Sequence, residues 1–187
     1  MRKAQQLAVT CALLGSVLLA NAANAYTNTA MKEYTPTSQF TFDTNGNATD
    51  KVTGLMWQRC PIGTGYSNSG TPTTYTDDLC TNENTLLSWS EALKAAQTAN
   101  ANLVGGYSDW RLPNVQELRS IIERRNYDPA INPVVFPSYN SSAFWSSTPP
   151  IHSSYEHSAI AITFLDGNDI WPKRSAKVYA RLVRTAQ

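Results

Sequence analysis

His152, Glu156 and His157 are, by type, the residues in this chain best equipped for chemistry. Two histidines in a His-x4-His pattern, five positions apart with a carboxylate between them, could bind zinc if a helix brought them to one side. Pro149-Pro150 just before them and Ser153-Ser154 between them argue against a helix. The segment therefore reads as a loop with exposed or capping histidines, and no metal or cofactor is expected. Asp43, Asn45, Asn47 and Asp50 resemble a fragment of a calcium loop, but the Gly and closing Glu of an EF-hand are missing, and an Asx-rich hairpin turn, which explains the same residues, is the favoured reading. Asp77-Asp78 sits in a polar loop and reads as solvated charge. No G-x-S-x-G elbow, HExxH, P-loop or GxGxxG occurs, and no serine carries a nucleophile's signature. The expectation is a protein that is not an enzyme.

Charge is where the sequence leans toward a function. After Asp169 come Lys173, Arg174, Lys177, Arg181 and Arg184, with no acid among them. Arg119, Arg124 and Arg125 could extend the strip. Arg forks onto sulfate or carboxylate, and Lys meets them as a point charge. Lys173, Arg174 and Lys177 are the candidate ligand-binding cations, with Trp171 and Trp145 as candidate sugar-stacking rings. Simpler readings stand beside these. The last strand puts Tyr179, Arg181 and Val183 on one face, so Arg181 equally suits a buried structural role. Lys173, Arg174 and Lys177 could merely solubilise a hairpin, and tryptophan is more often core than platform.

The elements that must position these residues follow from period and punctuation. Phe40–Asp43 and Leu55–Gln58 read as strands around the turn signal Asn45-Gly46. Pro61 to Leu79 reads as a surface loop, with Tyr66 and Tyr75 as candidate ligand-facing aromatics. Ser88 and Glu91 form a capping box for a helix from Trp89 to about Asn100, with Trp89, Leu93, Ala96 and Asn100 on one stripe. Asn114 and Glu117 start a second helix, Val115 to about Arg124, burying Leu118, Ile121 and Ile122 and turning Glu117, Arg119, Glu123, Arg124 and Arg125 to water. Phe144–Thr148, Ala159–Phe164, Ile170-Trp171 and Val178–Val183 read as late antiparallel strands, with a turn at Asp166-Gly167. Between the helices lies Ser108-Asp109-Trp110-Arg111-Leu112-Pro113. Trp110, Arg111 and Pro113 form a corner there. Arg111 is either a paired structural guanidinium or a ligand contact.

Length and composition bound the class. Arg2 and Lys3, the apolar run Leu7–Ala20 and the small-residue site Ala23-Asn24-Ala25 read as a secretory signal over residues 1–25. Residues 26–38 read as a flexible polar arm, or one that pairs only on self-association, and 39–187 as one α+β domain. The whole chain has 15 Lys+Arg against 14 Asp+Glu, and losing Arg2 and Lys3 leaves it near neutral. No global field favours nucleic acid. Once the signal is gone, no segment predicts stable membrane insertion. Cys60 and Cys80 are the two cysteines beyond the signal, and in an oxidising compartment they read as one disulfide, against two free buried thiols.

Five motifs occur in order: TGLMWQ (Thr53–Gln58), SWSEAL (Ser88–Leu93), SDWRLPNVQEL (Ser108–Leu118), FWSST (Phe144–Thr148) and YARLVR (Tyr179–Arg184). Together they resemble the Lcl C-terminal domain family, named for the C-terminal domain of the Legionella collagen-like adhesin. The resemblance implies a C-type-lectin-like α+β fold related to the formylglycine-generating-enzyme architecture, with two helices on a small antiparallel sheet. It also implies an extracytoplasmic protein and an adhesion role toward anionic glycans or another surface polymer. A structural or accessory subunit of a surface filament or envelope complex is the other expectation. Formylglycine chemistry uses cysteines in the C-terminal half, and none follows Cys80.

Overall fold

The computed structural model describes residues 26–67, 78–81, 85–137 and 142–186. The expected signal, Tyr75 and Asp77 lie outside them. In chain order the elements are β1 (Tyr26–Thr27), β2 (Phe40–Phe42), β3 (Asn47–Asp50), β4 (Leu55–Gln58), β5 (Gly65–Ser67), β6 (Leu79–Thr81), α1 (Trp89–Ala101), α2 (Val115–Ser120), β7 (Asn126–Tyr127), β8 (Ala143–Trp145), β9 (Ala161–Thr163), β10 (Asp169–Ile170) and β11 (Val183–Thr185). The α+β class holds, but the sheet is divided. Antiparallel sheets run β11-β4-β3-β2, β10-β9-β8, β1-β7 and β5-β6. The strand pair β5-β6 lies where the sequence predicts only loop, because Cys60–Cys80, with Cα atoms 5.5 Å apart, brings its two halves together.

Local chemistry explains the starts and turns. Ser88 and Asn114 accept from the N–H groups of Glu91 and Glu117, and each Glu side chain accepts from its cap in return. Asp43 accepts from the N–H groups of Asn45 and Asn47, each at 2.9 Å, so the Asx-turn reading applies. Gly46 has φ +82°, and a side chain there would strike the Tyr66 ring, 2.5 Å from an added Cβ.

The helices deviate from the predicted stripes. α1 buries Ala92, Ala96 and Ala99, while Leu93 is exposed. Its small side chains let the helix lie close to its neighbours. α2 stops at Ser120 because the next N–H groups tighten onto carbonyls three residues back, Ile121 to Leu118 and Ile122 to Arg119. Ile121 and Ile122 are buried as predicted, but Glu123 does not face water. It is buried and accepts from the N–H groups of Tyr34, Thr35 and Arg125 and from the Thr35 hydroxyl. Burial pushes its carboxyl up, yet those donors outweigh that effect and hold it below the usual range. Residues 26–38 are accordingly strapped to their own domain, with β1 on β7 and the Tyr34-Thr35 backbone on Glu123, rather than free.

The largest core cluster gathers Phe40, Trp57, Leu118, Ile121, Phe136, Phe144, Ile162, Phe164 and Val183. Three tryptophan N–H groups are tied to carbonyls, two of them across segments distant in sequence and that of Trp110 locally. Trp89 donates to Ser146 O at 2.8 Å, Trp110 to Val104 O at 2.7 Å and Trp145 to Leu87 O at 2.8 Å. The corner is fixed from both sides. Arg111 and Val183 exchange backbone hydrogen bonds, both 2.9 Å, and Ser147 N–H donates to Pro113 O at 2.7 Å. Asn100 holds the Trp110 backbone from α1, accepting from its N–H at 2.7 Å and donating to its carbonyl at 2.9 Å.

Candidate functional site

The late cations sort by the fold into those turned inward, those paired and one left open. Arg181 is fully buried. It donates to the carbonyls of Gln58 and Arg59 and lies 4.6 Å from the Phe136 ring centre. Burial, with some repulsion from Arg59, pulls its guanidinium down to about 9. Arg184 is buried too, donating to Asp109 at 2.6 Å with its guanidinium 3.9 Å from the Tyr107 ring centre. Lys177 meets Glu91 at 2.5 Å in the first turn of α1. Arg174 donates to Ser158 O at 2.9 Å, with its guanidinium 4.5 Å from the Trp89 ring centre. Arg119 and Arg125, expected to extend the strip, pair with Asp169 and Glu33. Lys173 is exposed and, among the described residues, has no ion-pair partner.

Trp145 is not a ligand platform. It is wholly enclosed, with its backbone N–H on Tyr179 O at 2.9 Å and its indole on Leu87 O. Its place between β9 and the 178–180 segment makes it core. Arg111 forks onto both oxygens of Glu117, at 2.7 and 2.6 Å, and its side chain is half-exposed. Asp78, expected to be solvated, is buried against Arg59, which also donates to Val134 O and Val135 O. Tyr66 joins that pair, and burial with its bond to Asp78 pushes its hydroxyl up to about 12. It is a structural member of this network rather than an open aromatic.

Trp171 stays accessible. After β10 the chain runs extended beside residues 157–159: Arg174 N–H donates to His157 O at 2.8 Å and Ala159 N–H to Pro172 O at 3.2 Å. Trp171 and Lys173 are exposed there with Pro172 half-buried between them, and a turn follows, closed by Ala176 N–H on Lys173 O at 2.8 Å. A short 3-10 turn, Ser153–Tyr155, is capped by His152, whose ring nitrogen accepts from Ser154 N–H at 3.2 Å. This turn lays Tyr155 against Trp171, with ring centres 5.8 Å apart and planes 28° from parallel. Both rings stay open, 45% and 49% exposed. The His152 ring stands at 6.1 Å from Tyr155, edge on, and Ile151 is fully exposed beside it in sequence. The resulting patch is two stacked aromatics with a lysine on the outward face of the same segment.

Tyr155 and Ile151 were missed from sequence. The clue was an aromatic two residues before His157 in a turn that Pro149-Pro150 keeps out of the sheet. The patch offers apolar ring faces and a point charge, which suits contact rather than bond-making. Glu156 and His157 are both exposed, 3.2 Å apart, and among the described residues no three His, Cys, Asp or Glu side chains gather to hold a metal. The large pKa displacements, at Tyr66, Glu91 and Arg181, are each explained by burial or by a structural partner. The family model described as the Lcl C-terminal domain matches residues 46–184. No curated protein matches the chain.

Proposed function

The chain belongs to the Lcl C-terminal domain family, and from that premise we propose that it is an exported, non-enzymatic adhesion module that contacts an anionic glycan or related surface polymer through Trp171, Tyr155 and Lys173. The family and the Cys60–Cys80 disulfide point to an extracellular location. No described helix is long and apolar enough to cross a membrane. The observation that carries the reading is the stacked Tyr155–Trp171 pair left half-open beside Lys173. Two large rings exposed together in a polar rim mark a contact surface more than a stray side chain does. The C–H face of a sugar ring packs on an indole, while the tyrosine hydroxyl and the lysine ammonium meet hydroxyl, sulfate or carboxylate groups. Most of the late cations are engaged within the fold, so charge contributes little and stacking carries the greater share.

Titration of the protein with a sulfated oligosaccharide such as a heparin fragment tests this. Trp171→Ala is expected to weaken binding at least tenfold, about 1.4 kcal/mol, and Lys173→Ala by less. Affinity should fall only gently with salt, as one open lysine implies. Absence of binding at low salt, or binding indifferent to both substitutions, would overturn the proposal.

A further inference from the structure

A second site is built where nothing in the charge pattern points. Between α1 and the segment Pro61–Tyr66 lies an open cavity of about 470 Å³. Its floor and walls are apolar at Ile62, Ala95, Ala99 and Leu182, and its rim carries the amides of Asn45, Gln58 and Asn102. Among the described residues no charged side chain lines it. Among the described residues those three side-chain amides have no hydrogen-bond partner, whereas the fourth amide at the rim, Asn47, donates to Asp43 at 2.8 Å.

We infer that this cavity is a binding site for a neutral saccharide, distinct from the Tyr155–Trp171 patch. Three facts select that class. An anion or cation entering would lose water and find no opposite charge among the described lining residues, which is costly in a partly apolar site. A peptide strand would need free backbone, and much of the wall's own is engaged. Ile62 N–H donates to Ala180 O, Thr85 N–H to Ile62 O and Thr64 N–H to Pro61 O. What remains is amides, each with one acceptor and two donors, over an apolar floor. Sugar hydroxyls match the amides and sugar C–H faces match the floor. The volume has room for about two rings and lies within the usual range for ligand sites.

The probes are a neutral disaccharide of N-acetylglucosamine and maltose, titrated into the protein by calorimetry and followed by amide NMR shifts. Binding of at least one is expected, unchanged from low to high salt. Shifts should fall on Ile62, Ala95 and Asn102. Gln58→Ala with Asn102→Ala should weaken it about tenfold, as loss of two hydrogen bonds implies. Ala95→Trp, which fills the cavity from the surface of α1, should abolish it, and Thr98→Tyr gives a second obstruction should the first fail to fold. Trp171→Ala should leave it intact. The same Trp171→Ala sample titrated with the heparin fragment separates failure of this site from failure of the adhesion reading. No saturable binding of either sugar, shifts elsewhere, or binding that survives both obstructions would overturn the inference.

Discussion

Arg181 and Arg59 are two guanidinium groups with no open water, set by different means. Arg181 is held by the carbonyls of Gln58 and Arg59 and by the faces of Phe136 and Phe144. Planarity is what the site uses, so Arg181→Lys keeps the charge and loses the fit. It is expected to lower unfolding free energy by about 1.5–3 kcal/mol, the range for hydrogen bonds to charged groups. Arg181→Met, which removes the buried charge and fills similar volume, should cost less. Urea denaturation of both variants decides this, and a lysine variant as stable as the parent would contradict it. The buried alternative for Arg181 was legible from the alternation Tyr179/Arg181/Val183. The pairing of Arg59 with Asp78 was not. A carboxylate in a Ser/Thr/Gly-rich stretch reads as solvated, and only the closure of that stretch by Cys60–Cys80 brings it under the core. Trp145 shows the converse. Its type leans toward core without excluding a platform, and burial depends on which strand covers it.

Elements were legible where capping chemistry or a turn residue sits beside a periodic run, as at Ser88, Asn114 and Asp166-Gly167. They were not legible where polar segments are held by one distant group. The arm is the clearest case: no periodicity marks residues 28–36, yet Glu123 gathers the N–H groups of Tyr34 and Thr35. A depressed carboxyl stabilises the fold at neutral pH, and that contribution fades as pH falls through its folded value, below the ordinary glutamate range near about 4.3. Acidification should therefore release the arm before the core unfolds. Glu123→Gln should release it at neutral pH, at about 1–3 kcal/mol for the lost charged acceptor. Hydrogen exchange at Tyr34, Thr35 and Asn28 is the measurement, and unchanged protection in the variant would refute the latch. Self-association through the arm, the accessory-subunit reading, requires it to leave Glu123 first. Concentration-dependent sizing should then favour the Gln variant over the parent.

At the scale of the whole molecule the sheets are separate, and what joins them is long-range: tryptophan N–H groups, buried arginines and one disulfide. The β5-β6 pair shows what this implies. Two ties anchor it at adjacent points, Cys60–Cys80 and Arg59–Asp78, and both close nearly the same loop. A cross-link acts mainly by denying the unfolded chain its freedom, worth about 3 kcal/mol for a loop of this length. The ion pair acts on the folded side, because removing one partner strands a buried charge at a cost of about 3–5 kcal/mol. Asp78→Asn should therefore be severe with the disulfide intact. With Cys60→Ser and Cys80→Ser, the strands are freer to swing out and let water reach Arg59. The second loss then falls short of the sum, and a double-mutant cycle in urea should show coupling of at least about 0.5 kcal/mol, the lower bound for groups in contact. Strict additivity would mean that the two ties act on independent parts of the fold. The same cycle bears on the sugar cavity, whose wall begins at Cys60 and Pro61. Disulfide loss should weaken saccharide binding there while leaving the Tyr155–Trp171 patch, held by residues 157–159, unaffected.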